Sequence, residues 1–362
     1  MVKSRINFKL PGLNKVRRLF RIQAISIDLI LKSGRLGNVI LYFATMESEG
    51  LPGQEWKIFL AFASVYIIWG STYLGIFYAI QSLPPMVMGG MRFVTVGGLL
   101  FIYTHWIQKE RYSWELWKFG LISGLLLFLI GGGAVILAEQ HLPSGLVSII
   151  SSIVPFMMLI LDFKSGRERF RNHWTWIGLA FGLTGVVVLF YDKIAPEDGK
   201  IQELISYIIL LIGTVGWTTG TLYSKYTRIK ATTNAKASVQ TLSASILFFL
   251  VAIPMGEYNT LNVSSVTSTS WIALIYLITF GSLVGYFSYL WLLSQVSAHS
   301  VSTHAFVNPI VAVFLGTIFA GESFYAREYV ALLFVILGLI AIYLSKKKSR
   351  ITRIVMEPNT KE

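Results

Sequence analysis

Residues 270–293 read SWIALIYLITFGSLVGYFSYLWLL, and they sit inside an interval of 64 residues, between Glu257 and Glu322, that holds no charged side chain. Shorter intervals of the same kind separate Lys57 from Arg92 by 34 positions, Lys118 from Glu139 by 20 and Glu139 from Asp162 by 22. A bilayer core takes about 20 predominantly apolar residues per helix. The stretch from about residue 57 to residue 345 therefore holds ten spans with little loop between them. The composition agrees: 54% of the 362 residues are hydrophobic and 14% charged, where a water-soluble domain carries about a quarter charged residues. The mean hydropathy is +0.63. Soluble, disordered and fibrous classes are excluded. A β-barrel would alternate apolar with polar residues in segments of about ten, whereas runs such as Val330 to Leu344 are apolar on every side. The chain has no cysteine, which excludes disulfides, thiolate metal sites and cysteine nucleophiles.

The fold class expected is all-α integral membrane, with ten transmembrane helices over about 58–80, 85–107, 116–138, 143–162, 173–191, 203–224, 237–256, 271–295, 299–320 and 328–345. Lysine and arginine counted by loop set the orientation. With both termini on one side, that side collects 27 of the 31 basic residues and the other only Lys193, Lys200 and Arg327, leaving Arg92 inside the membrane. The expectation is a multi-pass protein of the cell membrane with both ends cytoplasmic. The net charge of +13 is mostly this asymmetry, so no nucleic-acid partner is needed to explain it. Residues 1–56 form a basic leader, read as an Arg-rich targeting segment, as a disordered tail, or as a stretch upstream of a translation start at Met46. The tail, 346–362, is basic too.

A weak internal repeat divides the rest. A shift of 148 places Trp69 on Trp217, Arg92 on Gln240 and Phe101 on Phe249; a shift of 154 places Trp117 on Trp271, Gly131 on Gly285, Ser148 on Ser302 and Pro155 on Pro309. Six identities in the 39 positions from Trp117 to Pro155 are hardly above chance, but span lengths and the polar-then-proline pattern hold register. Each unit, 57–192 and 203–345, has five spans, an odd number, so the second enters the membrane from the opposite face. In transporters built on inverted repeats the site lies near the midplane, and access alternates as one bundle rocks against the other.

The fourth and ninth spans carry the richest chemistry. Pro155 and Pro309 each lack an amide hydrogen, so kinks or unwound turns are expected there. Ser148, Ser151 and Ser152 in one span, and Ser302, Thr303, His304 and Asn308 in the other, stand close to those points. They serve either packing or the permeation path. Arg92 lies about two turns into the second span, where a central arginine costs about 2.5–3.5 kcal/mol; it either faces a cavity and binds an anionic group, or bonds backbone carbonyls, or snorkels. Gln240 matches it in the other half. Glu139, beside His141, and Glu322 end the third and ninth spans and are candidates for proton coupling, with interfacial capping as the plainer alternative. Asp162 beside Lys164 reads as a local ion pair. Trp69, Trp217, Tyr286, Tyr289 and Trp291 line a pocket or pack the bundle. Gly120 with Gly124, Gly178 with Gly182 and Gly281 with Gly285 allow close helix approach.

Signatures of zinc peptidases, serine hydrolases, P-loops and dinucleotide binding are absent from the sequence. No cofactor or metal site is expected. The run Trp69-Gly70-Ser71-Thr72-Tyr73-Leu74, Met91-Arg92-Phe93, Pro143-Ser144-Gly145, Asn308-Pro309 and Gly321-Glu322, in that order, resembles the EamA-type members of the drug/metabolite transporter superfamily. The resemblance runs from about residue 56 to residue 345. It implies two EamA repeats, ten helices, cytoplasmic termini and a secondary carrier, commonly an exporter of amino acids or related metabolites. It also implies a central cavity walled by the first, third, fourth, sixth, eighth and ninth spans, which here bring Trp69, Ser71, Trp217, Tyr286 and His304. The sequence departs from the pattern at Leu161-Asp162-Phe163, where the first repeat lacks the Gly-Glu that the second keeps. The function expected is secondary transport of a small organic molecule through the lipid bilayer, without ATP hydrolysis. A membrane enzyme acting on lipid-linked substrates and a non-transporting scaffold are the rival readings.

Overall fold

The structure, a computed structural model, describes residues 55–163, 172–190, 201–301 and 303–356. Most of the leader, the loop with Lys164 and Arg167, and the loop with Lys193 and Lys200 lie outside the described residues. The chain divides into two compact units, Met1–Ala63 and Ser64–Glu362. In the first, the described part is the helical opening of α1, residues 55–63.

Among the described residues every regular element is helical. Seven helices are long and apolar enough to cross a membrane: α1 (55–79), α2 (Pro85–Ile107), α3 (Trp114–Ala138), α4 (Ser144–Leu161), α6 (Ile201–Tyr226), α7 (Thr233–Ala252) and α8 (Ser268–Gln295). Between α4 and α6 lies α5 (His173–Phe190), whose apolar stretch His173–Leu189 is shorter, as is the stretch Val307–Phe319 of α9 (His304–Phe319), which follows the single turn Ala298–Val301. The last helix, α10, spans Ala326–Met356. Local chemistry sets the starts. Ser113, Thr232 and Thr267 each accept the amide hydrogen three residues on, satisfying a donor that helix geometry leaves open. Pro85 occupies the first turn of α2, where a missing N–H costs nothing.

The Ser64–Glu362 unit is organised by antiparallel pairs. Along α2 and α7, Gly89 faces Phe248 while Gly97 faces Leu242; along α3 and α6, Gly213 faces Ala134 while Gly220 faces Leu127. Helix α1 runs against α8, where Gly285 faces Trp69 and Gly75 faces Leu277. The remaining pairs are α4 with α9 and α5 with α10. The six glycines singled out in the sequence all sit at such close approaches, against Val239, Gln240, Ile342, Phe156, Thr72 and Trp69 in turn.

Helix α4 lies deepest, with 78% of its apolar window buried. Leu146, Val147 and Ile150 pack on Tyr207 and Leu210 of α6 and Ala331 of α10. Ile67, Leu121, Ile212, Leu250 and Phe314 are exposed on the outside of the bundle, as a lipid-facing surface requires.

Three departures from regular α-helix position the site. Helix α4 breaks at Ser152–Ile153 and resumes at Val154, just before Pro155, whose ring cannot sit behind an unbroken α-helical turn. Around Pro309 the helix is continuous, so of the kink or unwound turn expected at that proline the unwound turn is absent; the helix itself begins at His304, after Thr303. Finally, α3 and α8 each contain a π-helical stretch, Leu125–Gly132 and Leu277–Tyr286. The shift that relates Gly131 to Gly285 carries the first stretch into the second. Widened turns of this kind are frequent at functional sites.

Candidate functional site

Between these helices lies a cavity of about 130 Å³, where one ordered water needs roughly 10–15 Å³. It has room for one small organic molecule. The π-helical stretches supply Phe128, Gly131 and Tyr286, and the broken α4 supplies Ser151 and Val154. Trp69, Thr72 and Tyr73 come from α1, Trp217 and Thr214 from α6, and His304 with Asn308 from α9. The wall implied by the resemblance leaves out α2 and α7, which contribute Arg92, Phe93 and Thr241; the close α2–α7 pairing carries them inward.

Trp69 is the hub of the aromatic part. Its indole Nε1 donates to the carbonyl oxygen of Gly281 at 3.1 Å, and its ring meets Trp217 and His304 edge-on at 5.5 and 5.1 Å between centroids. Tyr289 lies against it at 4.8 Å, with its hydroxyl paired to Thr221 Oγ1 at 2.8 Å. Aromatic pairs of this geometry add about 0.5–1.5 kcal/mol beyond area burial. Arg92 is 9% exposed, and its Nε donates to Ser282 Oγ at 2.8 Å. Neither snorkelling nor a carbonyl bond is seen there; the guanidinium belongs to the cavity wall. Asn308 is oriented so that its amide oxygen accepts from His304 Nδ1 at 3.0 Å while its nitrogen donates to the carbonyls of Tyr66 and His304. His304 Nε2 then stands buried without a partner.

Three sequence candidates stand outside the lining. Ser71 Oγ is tied to the carbonyl of Ile68 and to the Tyr276 hydroxyl. Gln240 braces the wall from behind, accepting from Tyr286 Oη at 2.7 Å and donating to Ser224 Oγ at 2.9 Å. Ser148 is buried beside Tyr73. Asp162 accepts from Tyr226 Oη at 2.8 Å; its expected partner Lys164 lies outside the described residues. Sequence reasoning missed Ser282, for which no signal exists, and Glu257, for which one does.

Glu322 is committed to the start of α4: its two carboxylate oxygens accept from the amides of Ser144 at 2.7 Å and Gly145 at 3.2 Å. Glu257 grips the start of α2 in the same way, through Met86 and Val87 at 3.0 and 2.8 Å. A carboxylate at a helix N-terminus satisfies open donors and complements the helix dipole. Both glutamates follow a glycine with positive φ, Gly256 at 70° and Gly321 at 64°, a conformation that side chains disfavour. The Gly-Glu dipeptide at 256–257 is thus the overlooked signal. At the other end of the bundle Glu110, after Lys109 at φ 56°, accepts from the amide of Thr232 at 3.0 Å. Glu139, one residue past α3, differs: it is 4% exposed and neither oxygen has a hydrogen-bond partner. Burial, and then the charge of Glu322, push its carboxyl well above the ordinary range, against a smaller lowering by the nearby Phe77 backbone. His141 is exposed.

The model of the EamA-like transporter family matches residues 55–191 and again 204–344. The chain belongs to the EamA-like transporter family. It is 31% identical over 299 residues, 81% of its own length and 92% of the relative's, to YedA of Escherichia coli strain K12, described as an uncharacterized inner membrane transporter. Over 281 residues, 76% of this chain and 91% of the other, it is 22% identical to a probable amino-acid metabolite efflux pump of the same organism. A solved crystal structure shares the fold with a TM-score of 0.57 at 15% identity, covering 80% of this chain and 97% of that one. Membership of this EamA family makes the chain a multi-pass membrane transporter, and gives no support to an enzyme reading.

Proposed function

We propose that this EamA protein is a secondary carrier that exports small organic metabolites, amino acids or related compounds, by alternating access. Its ten helices are ten spans, arranged as two inverted five-helix repeats, with both termini in the cytoplasm of a cell whose plasma membrane it occupies. The observation that carries the reading is the cavity itself. It lies between the π-helical stretches of α3 and α8, at repeat-related positions, where inverted-repeat carriers hold their substrate. The antiparallel pairs α2–α7, α4–α9 and α5–α10 each join repeat-equivalent helices, and this supports the inversion. The name of the efflux-pump relative supports outward direction and metabolite class.

In this mechanism the substrate pathway runs through Trp69, Arg92, Ser151, Trp217, Tyr286, His304 and Asn308, while Ser71, Ser148 and Gln240 support its walls. The break before Pro155 and the start of α9 at His304 are the flexible points. The lysine and arginine asymmetry puts the clasps of Glu257 and Glu322 at the outer face, where they hold α2 and α4 against the partner repeat. Glu139 is the proton-coupling group, since its oxygens are free to take a proton, whereas those of Glu322 are engaged. The test is uptake by proteoliposomes of labelled amino acids, nucleobases and sugars, with and without an imposed proton gradient. Saturable uptake that rises with the gradient is expected; folded protein that moves nothing would return the scaffold reading.

A further inference from the structure

We infer that the cavity binds a small monocarboxylate, with the carboxylate on Arg92, a donor group on His304 Nε2 and the body of the molecule between the aromatic rings. The inference rests on the carrier reading and adds the charge and shape of the cargo.

The argument starts from charge. Arg92 brings a guanidinium with five N–H donors into the cavity wall, where its one hydrogen bond is from Nε to the neutral Ser282 hydroxyl and its Cζ stands 5.2 Å from the centroid of the Phe93 ring, neither of which supplies a negative charge. Among the described residues no carboxylate pairs with it, and no aspartate or glutamate lines the cavity. A buried charge without a partner is strongly unfavourable. A guanidinium fork matches a carboxylate with two parallel hydrogen bonds. Gly281 leaves room for that geometry, because a β-carbon there would come within 3.1 Å of Arg92 Nη2. The cavity therefore lacks one negative charge.

The second element is directional. His304 Nδ1 is taken by the oxygen of Asn308, which fixes the proton on that nitrogen and leaves Nε2 as an acceptor, buried and unpartnered. Trp69 meets His304 edge-on and bonds the carbonyl of Gly281, the residue beside Arg92 Nη2. A ligand lying against the indole has both a cation and a lone pair in the cavity lining to meet. Phe128, Trp217 and Tyr286 close the remaining sides, suited to an apolar or aromatic body. An α-hydroxy acid satisfies every group. An α-amino acid gains a charge-assisted bond to Nε2 and contact with the ring faces but must desolvate a second charge in a site with no carboxylate to pair it, so it binds more weakly. An amide or an amine lacks the charge that Arg92 needs.

The test is ligand-induced thermal stabilisation of the purified full-length protein in detergent, with 3-phenyllactate, phenylalanine, 3-phenyllactamide and phenethylamine as probes. Phenyllactate should bind most tightly and phenylalanine next, with the amide and amine weaker by about ten- to a hundredfold. Arg92→Gln should abolish the preference for acids, and Arg92→Lys, which keeps the charge but loses the fork, should retain part of it. Variants whose ligand-free melting matches the parent establish that folding is intact; Ser282→Ala, which frees Nε without removing charge, gives an independent milder loss. Equal binding of acid and amide, acid preference surviving in Arg92→Gln, or no stabilisation by either acid at millimolar concentration overturns the inference. Flux in proteoliposomes separates the two readings: acid binding without flux removes the carrier and keeps the site, whereas flux of amines alone keeps the carrier and removes the site.

Discussion

Gly316 lies directly beneath Glu322: a β-carbon at 316 would stand 2.3 Å from Glu322 Oε2. The glycine is what lets the glutamate fold back from the end of α9 onto the amides of α4. Gly316→Ala should therefore break the clasp as Glu322→Gln does, each at a cost of about 1–3 kcal/mol, the range for a lost hydrogen bond to a charged group. Thermal unfolding in detergent measures both, and the double variant should cost little more than either alone. Additive losses would mean that Gly316 acts elsewhere.

The two ends of the bundle are held unequally. Glu257 makes two buried bonds to α2, whereas Glu110 makes one exposed bond to Thr232. Glu257→Gln should lower stability by about 1–3 kcal/mol and Glu110→Gln by less than about 1 kcal/mol. Comparable losses in the same melting assay would contradict this ranking.

Glu139 should leave a pH signature. Its folded-state pKa is raised, so the native state holds a proton that the unfolded chain releases, and stability falls as pH rises above the ordinary glutamate range. Glu139→Gln removes the ionisable group. It should flatten the pH dependence and raise the melting temperature at neutral and alkaline pH, while uptake loses its response to a proton gradient. A variant as gradient-sensitive as the parent would remove Glu139 from the coupling role.

Behind the cavity wall, Tyr286→Phe strips Gln240 Oε1 of its donor. The orphaned buried acceptor should cost about 1–3 kcal/mol, and replacing Gln240 by leucine in the same chain should recover part of it. No recovery in the double variant would show that the tyrosine contributes by packing alone.

In flux, His304→Ala should fall about fivefold, the worth of one ordinary hydrogen bond, while Lys347→Ala in the basic tail stays at the parent rate at matched membrane abundance. Equal rates for the two variants would displace His304 from the pathway.

The sequence by itself determined the helical membrane class, because uncharged intervals such as the one between Glu257 and Glu322 have no other stable solution in water or lipid. It also determined which residues were chemically unusual, Arg92, Glu139 and His304 among them, since each is expensive to bury. What each of these does was decided by tertiary structure. Glu139 and Glu322 are equivalent as text, yet one is left without a partner and the other is spent on two backbone amides. Gln240 and Arg92 share a repeat position, yet only Arg92 reaches the cavity. The physical reason is that hydrophobicity and burial cost accumulate along a chain and can be read locally, whereas a hydrogen-bond partner 178 residues away, as Glu322 is from Ser144, exists only once the helices have packed.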